Sequence, residues 1–226
     1  MFKMKLGLLS IALLCTTTFI MAQEKEEVPV PESIQKLKLA SESAVYGYQN
    51  NSVLSLIHAA DLYLSTSLID FKAEKVEQGE GEKTSKTETV SFDVEKILKD
   101  AKALAALEGD KDIYLKLIAN LEKKSVDRTR SPVGGTQRAY GTVYAFSKNT
   151  YTVTLKAFER TYIEVYGDGD TDLDLYVYDA YGNFIVSDTR YSPNAAVWVV
   201  PNVTATFSLV VKNNGSVYNN FMIVAY

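Results

Sequence analysis

The chain has 226 residues, of which 46% are hydrophobic and 23% are charged. This balance is typical of a globular protein and excludes a wholly disordered one. The length allows one or two domains. The formal net charge is −4, so the chain lacks the basic excess that is typical of nucleic-acid-binding proteins.

Residues 1–22 have the anatomy of a secretory signal peptide. Lys3 and Lys5 precede an apolar run, and a small residue, Ala22, follows it. The run is shorter than the about 20 residues that a membrane-spanning helix needs. We therefore predict cleavage after Ala22 and a soluble exported protein, periplasmic or secreted. The alternative is a lipoprotein anchored at Cys15, which the large residues directly before that cysteine disfavour.

Residues 31–124 show the 3.6-residue period of amphipathic helices. Ser52 is a predicted N-cap, and Ile113, Leu117 and Leu121 are the predicted inward residues of the last helix. The four predicted helices span residues 31–50, 51–66, 91–109 and 110–124. Their pairing vaguely resembles tetratricopeptide-like helical repeats, which implies a binding groove, but the full repeat pattern is missing. A small helical packing domain that binds nothing is the alternative.

Two polar segments divide this pattern. Residues 72–90 are charged and poor in large apolar groups, so we predict a mobile loop within the helical domain. Residues 125–136 contain a proline and a glycine pair, and we predict a linker between domains there.

Beyond the linker the hydrophobic period changes from 3.6 to 2, which is typical of strands. Residues 137–226 contain about eight short runs rich in Val, Thr and Tyr, separated by turn sequences. The pattern predicts an antiparallel β-sandwich, jelly-roll-like in its short strands. The whole chain is therefore predicted to be an α+β protein of two domains, with helical hairpins first and the sandwich second.

Four aspartates fall at alternate positions within residues 166–179, at Asp168, Asp170, Asp172 and Asp174. The strand that follows alternates apolar and polar residues, which points Asp174 away from the core and toward the loop that carries the other three. Carboxylates gathered in this way repel one another, and calcium, which takes about 6–8 oxygen ligands, relieves the repulsion. The four residues are therefore a candidate calcium site. A charged turn without metal is the alternative.

The segment 168–188 resembles the central motif of the bacterial pre-peptidase C-terminal domain. The matching features are the Asp-Leu-Asp-Leu-Tyr-Val run that starts at Asp172, the turn at Gly182 and the strand that ends in Ser187–Asp188. The resemblance covers residues 137–226 and implies a jelly-roll-like sandwich of the kind appended to secreted bacterial proteins. Some members resemble calcium-responsive and collagen-binding modules. A helical region takes the place of the protease here, so the association with peptidases is not expected to hold.

Other candidate residues are aromatic or titratable. The candidate ligand surface comprises Tyr166, Tyr176, Tyr178 and Trp198, with cross-strand packing as the alternative. His58 lies three residues before Asp61 on a predicted helix. We interpret this pair as a helix-face hydrogen bond, because no nucleophile or metal cluster accompanies it.

These features predict an exported, non-enzymatic bacterial protein whose sandwich is an interaction module, stabilised by calcium in the metal hypothesis. Its partner is predicted to be a protein or a glycan at the envelope or outside the cell. One alternative is a carbohydrate-binding module, which a row of exposed rings on one surface favours. The other is a hydrolase that uses carboxylates from residues 168–179, which requires two of them in a concave pocket.

Overall fold

The computed structural model describes residues 30–66, 68–70, 74–78, 89–127 and 136–226. The helices are α1 (Glu32–Gln49), α2 (Val53–Ser65), α3 (Val94–Ala105) and α4 (Lys111–Asp127). The strands are β1 (Leu68–Asp70), β2 (Glu74–Gln78), β3 (Thr136–Val143), β4 (Lys148–Leu155), β5 (Thr161–Gly167), β6 (Leu173–Tyr178), β7 (Phe184–Asp188), β8 (Asn194–Val199), β9 (Ala205–Asn213) and β10 (Asn219–Ala225). The predicted signal peptide lies outside the described residues. Within the described part of the chain, every helix is too short or too polar to cross a membrane.

The four predicted helices are confirmed, and two of their starts are fixed by side-chain caps. The Ser52 hydroxyl accepts a hydrogen bond from the backbone N–H of Ser55 at 3.3 Å, as predicted for the N-cap of α2. The Asp93 carboxylate accepts one from the N–H of Glu95 at 2.9 Å at the start of α3. Both caps supply acceptors to helix donors that have no partner within the helix.

The inward face of α4 differs from the prediction by a rotation of the helix. Ile118 and Leu121 are buried, but Ile113 and Leu117 are 60% and 39% exposed. α4 packs against α2 and α3 along the stripe that contains Ile118. Apolar residues at helical spacing occupy both stripes, so the sequence of α4 alone does not decide which one turns inward.

Two five-stranded sheets form the sandwich. Sheet A has the order β1-β3-β10-β5-β8, and sheet B has the order β2-β4-β9-β6-β7. Eight of these strands come from residues 136–226, four in each sheet and all antiparallel. The predicted α+β organisation and the jelly-roll-like sandwich are confirmed.

The predicted mobile loop at 72–90 is wrong for residues 74–78, which form β2 and pair with β4. β1 pairs in parallel with β3, so the segment after α2 adds an edge strand to each sheet. Val90 is also buried. Short polar edge strands are held by backbone pairing and carry little hydrophobic signal. Residues 79–88 of this loop and 128–135 of the predicted linker lie outside the described residues.

The described residues form two hydrophobic cores. The first fills the space between the sheets and includes the alternating residues Leu173, Leu175 and Val177 of β6, as period 2 predicts. The second lies between the helices and the outer face of sheet A, where Tyr166 and Met222 join the helical residues. The helices therefore cover one outer face of the sandwich, and the predicted helical and β regions share a core.

Candidate functional site

The aspartate stretch forms the loop between β5 and β6, and the carboxylate of Asp168, the first of the four, accepts hydrogen bonds that hold this loop in place. Asp168 is fully buried. Its carboxylate accepts hydrogen bonds from the backbone N–H of Asn220 at 2.7 Å and of Asp170 at 3.4 Å. The Asp170 side chain is exposed. Asp168 thus ties the β5–β6 loop to the start of β10.

Asp172 makes a second connection of the same kind. One carboxylate oxygen accepts from the backbone N–H of Ser192 at 2.8 Å, and the other accepts from the side-chain amide of Asn214 at 2.9 Å. The two partners belong to the β7–β8 and β9–β10 connections. Asp172 therefore joins three loops at one end of the sandwich.

Asp174 lies on the outer face of sheet B, as predicted, but it is only 5% exposed. Its carboxylate accepts a hydrogen bond from the Tyr176 hydroxyl at 3.0 Å and lies 3.9 Å from the ammonium nitrogen of Lys212. The register pairs Asp174 with Lys212 across β6 and β9, so this carboxylate has protein partners on its own sheet.

Across the described residues, no group of three or more His, Cys, Asp or Glu side chains is placed to hold a metal ion. The donors around Asp168 and Asp172 satisfy carboxylates without a cation. Calcium binding by Asp168, Asp170, Asp172 and Asp174 stays a prediction that solution experiments have to test.

Buried asparagines complete this end of the sandwich, and sequence patterning did not identify them. Asn219 donates to the Thr171 hydroxyl at 2.8 Å and accepts from the backbone N–H of Asp168 at 3.2 Å. Asn213 donates to the carbonyl of Val217 at 2.8 Å. Both asparagines are fully buried. Asn213 ends β9 and Asn219 begins β10. Asparagine is common beside turns for local reasons, so the sequence did not distinguish these two buried residues from ordinary turn residues.

The four candidate aromatic residues separate into two pairs on opposite faces. Tyr166 and Trp198 lie on the outer face of sheet A, in or against the core beneath the helices. Tyr166 is fully buried. The Trp198 ring packs on Tyr162 at a centroid distance of 4.8 Å, and the guanidinium of Arg160 lies 4.3 Å from its centroid. These two candidates are therefore wrong as parts of one exposed strip.

Tyr176 and Tyr178 lie on the outer face of sheet B, with ring centroids 6.5 Å apart and planes inclined by 22°. Phe184 of β7, which sequence patterning did not select, extends the row and meets Tyr178 edge-on at 6.0 Å. Phe184 is 58% exposed, and Tyr181 in the adjoining turn is 91% exposed. We call Tyr176, Tyr178 and Phe184 the aromatic row.

Glu164 is a buried carboxylate that the sequence did not single out. It lies on β5 beneath α1 and is 7% exposed. Burial raises its pKa, although hydrogen bonds from Tyr166 and Tyr162 act in the opposite direction. The Tyr166 hydroxyl lies 2.6 Å from the Glu164 carboxylate and 3.3 Å from the carbonyl of Ile34 in α1.

Asp188, at the end of β7, has the opposite electrostatic environment. The Arg190 guanidinium contacts both of its oxygens, at 2.9 and 2.7 Å, and the backbone N–H of Ala196 donates at 2.9 Å. The Arg190 side chain lowers the pKa of Asp188 to about 2. This carboxylate joins the strand that leaves sheet B to the strand that enters sheet A.

The predicted pairing of His58 with Asp61 is wrong. The exposed His58 ring lies 3.2 Å from the Ser43 hydroxyl, while Asp61 forms an ion pair with Lys124 at 2.8 Å. Both contacts join neighbouring helices, so His58 and Asp61 serve helix packing separately and form no acid–base pair.

The cavity beside the aspartate loop does not have the geometry of a carboxylate hydrolase. It measures about 270 Å³ and is lined by Gly167, Gly169 and residues of α1 such as Glu42 and Tyr46. The aspartates of the loop are not part of this lining. The two-carboxylate site that glycoside hydrolysis requires is therefore not found in this cavity.

Several of the solved structures that the chain is similar to match about two fifths of it. No family model matches the chain, and no curated protein does. The similar solved structures include the pre-peptidase C-terminal domain of collagenase from Bacillus anthracis, with 9% identity, a TM-score of 0.35 and coverage of 42% of this chain and 91% of that one. This domain is of the kind that residues 137–226 resemble in sequence.

Two other similar structures are β-sandwich modules of different kinds. PliG of Aeromonas hydrophila, a periplasmic inhibitor of g-type lysozyme, has 10% identity and a TM-score of 0.32 over 40% of this chain and 83% of that one. The carbohydrate-binding module TmCBM61, in complex with β-1,4-galactotriose, has 11% identity and a TM-score of 0.26 over 45% and 77%. At such identities and TM-scores, the similarities carry nothing about ligand or activity.

Proposed function

We propose that this chain is an exported, non-enzymatic binding protein whose sandwich presents the outer face of sheet B to a partner. The observation that carries the proposal is the asymmetry of the two outer faces. Helices bury Tyr162 and Tyr166 of sheet A, whereas Phe184 and Tyr181 remain largely exposed at sheet B.

The exposed residues near the aromatic row have the composition of a protein-binding surface. Phe184 and Ile185 are 58% and 44% exposed and carry no polar side-chain atoms, so a partner stabilises them by removing apolar area from water. Tyrosine supplies contact area together with a hydroxyl, and aromatic residues are enriched at interfaces. Clustered exposed apolar residues of this kind mark interaction sites. A protein partner is the occupant that this composition favours.

A glycan is the second candidate, favoured by one specific observation. The rings of Tyr176 and Tyr178 are nearly parallel and spaced by 6.5 Å along one strand. The Tyr176 hydroxyl and the ammonium group of Lys212, which both contact Asp174, provide polar groups at one end of the row. Rings and polar groups in this arrangement suit the apolar faces and hydroxyls of a sugar chain.

Export is part of the proposal and rests on residues 1–22, with their lysines, apolar run and Ala22. The mature chain would then start at Gln23 and contain no cysteine, since Cys15 is the only one. Its stability would depend on packing, with no contribution from disulfides.

The proposal is tested by site-specific photo-crosslinking in the producing cells, with the probe at Phe184 or, as a matched control, at Phe146. Phe146 is 72% exposed and lies in the β3–β4 turn at the other end of the sandwich. A protein partner is supported by a protein adduct that forms with the probe at Phe184 and not with the probe at Phe146. An excess of wild-type protein without the probe should prevent this adduct, whereas an excess of the Tyr178→Ala/Phe184→Ala variant should not.

Glycan binding is measured separately on a glycan array with the same variants. Binding that the double variant loses and the Phe146→Ala variant keeps, without a protein adduct, selects the glycan. If neither experiment distinguishes Phe184 from Phe146, the proposal is contradicted.

A further inference from the structure

The carboxylate of Glu164 lies where α1 packs on the outer face of sheet A. The strand register places it in a row between Ala196 of β8 and Val224 of β10, and Val224 in turn pairs with Arg138 of β3. The nearest cation along this row of the sheet is therefore two strands away, or roughly 10 Å. The cross-strand partners of Glu164, Ala196 and Val224, are therefore both apolar.

The other charged groups around Glu164 do not neutralise it at close range. On α1, the exposed Lys38 and Glu42 act on its carboxylate with opposite signs. Beyond β8, Arg190 is already held by both oxygens of Asp188.

The titratable groups that contact or approach Glu164 within the sheet are tyrosines. Tyr162 and Tyr166 of β5 donate hydrogen bonds to it, and Tyr63 of α2 lies near Tyr166. Burial raises the pKa of each of these hydroxyls, so they stay neutral donors throughout the physiological range. Glu164 is therefore the group beneath α1 whose charge changes with pH.

We propose that Glu164 is a proton-responsive contact that sets how tightly α1 docks on sheet A. The neutral acid fits the apolar interface, while the carboxylate requires hydration that the packed helix excludes. Tyr166 couples the two elements directly, because its hydroxyl reaches both Glu164 and the carbonyl of Ile34. Loss of the proton draws this hydroxyl toward the carboxylate and away from α1.

The direction of the pH dependence follows from the raised pKa. Stabilisation by the neutral acid is fully present below the ordinary glutamate pKa of 4.5. It is lost as the pH rises through the higher pKa of the folded protein. Acidification therefore tightens the contact between the helices and the sandwich, and a rise toward neutral pH loosens it.

The only tryptophan of the chain is a built-in reporter of this contact. Trp198 packs against the same core and pairs with Tyr162, two residues from Glu164 along β5. Its fluorescence is measured from pH 4 to pH 8 in the wild type, in Glu164→Gln and in the control Glu42→Gln. Gln keeps an oxygen acceptor for Tyr166 and cannot ionise.

We expect the wild type and Glu42→Gln to show a Trp198 transition with a midpoint above pH 4.5, and Glu164→Gln to lack it. The melting temperature of Glu164→Gln should exceed that of the wild type at pH 7, with the difference vanishing toward pH 4. A transition that persists in Glu164→Gln, or that is lost in Glu42→Gln, overturns the proposal.

A second variant keeps the test independent of how Glu164→Gln folds. Tyr166→Phe removes a donor that favours the ionised form, so the midpoint should move to higher pH. An unchanged or lower midpoint contradicts the proposed role. Amide hydrogen exchange at pH 7 adds a readout at the helix itself: the amides of α1 should exchange more slowly in Glu164→Gln than in the wild type, and equal rates also contradict it.

Discussion

The carboxylate of Asp188 provides a stringent stability test, because four donor groups from two connected segments converge on it. Asp188→Asn keeps one oxygen acceptor but removes the bidentate ion pair with Arg190 and weakens the hydrogen bond from the backbone N–H of Ala196. The β7–β8 connection, which links the two sheets, then loses its principal electrostatic restraint.

The magnitude follows from the pKa. A fall from 3.8 to about 2 is equivalent to about 2.4 kcal/mol, at about 1.36 kcal/mol for each pKa unit. The Arg190 side chain is 80% exposed, so solvent and salt screen part of this interaction. We therefore expect Asp188→Asn to lower the free energy of unfolding by about 1–2 kcal/mol, or the melting temperature by about 2–8 °C.

The assay is thermal unfolding of the wild type and Asp188→Asn between pH 2 and pH 7. Because the pKa is lowered in the folded state, the stabilisation is present above pH 3.8 and is lost as the pH falls through about 2. The two proteins should differ at pH 7 and converge at pH 2. The control Glu159→Gln removes an ion pair whose partners are 60% and 70% exposed and should change little. Equal melting of Asp188→Asn and wild type at pH 7 refutes the reasoning.

Four further predictions concern the aspartate loop, the helical and β regions, and the N-terminus. Asp172→Asn should destabilise the protein by about 1–2 kcal/mol even without calcium, because Ser192 loses a charged acceptor. If the aspartates bind calcium, the melting temperature of the wild type should rise by about 5–10 °C when calcium is in hundredfold excess over its Kd. Equal melting temperatures in calcium and in chelator would contradict the calcium hypothesis. A fragment of residues 137–226 should bind a hydrophobic dye that the full chain does not, and a fragment as stable as the full chain contradicts the shared core. Mass spectrometry should find a mature chain that starts at Gln23 without a lipid, whereas a lipid on Cys15 indicates an anchored protein.

Much of the β half could be predicted from the sequence because one physical pattern dominates it. Alternation along residues 173–178 placed Leu175 in the core and Asp174 on the outer face, and both placements are confirmed. The N-cap at Ser52 was equally predictable, because it depends on neighbouring residues alone. Local signals were sufficient where the structural cause was local.

Features that depend on distant partners could not be predicted in this way. Tyr166 and Tyr176 have the same residue type and lie on neighbouring strands of the sequence, yet only Tyr166 is covered by helices. Residues 74–78 are polar and form a strand only because β4 offers a free edge. The role of Asp168 could not be predicted either, because its carboxylate accepts a hydrogen bond from the backbone N–H of Asn220, a residue 52 positions away in the sequence.

The central claim is that the helices cover the outer face of sheet A and leave the outer face of sheet B open for binding. Hydroxyl-radical footprinting of the full chain tests it directly. Met222 is intrinsically reactive but fully buried, as is Tyr166, whereas Phe184 and Tyr181 are 58% and 91% exposed. We predict rapid oxidation of Phe184 and Tyr181 and protection of Met222 and Tyr166. Oxidation of Met222 as fast as that of Phe184 would show that the helices do not cover sheet A in solution, and would contradict the account.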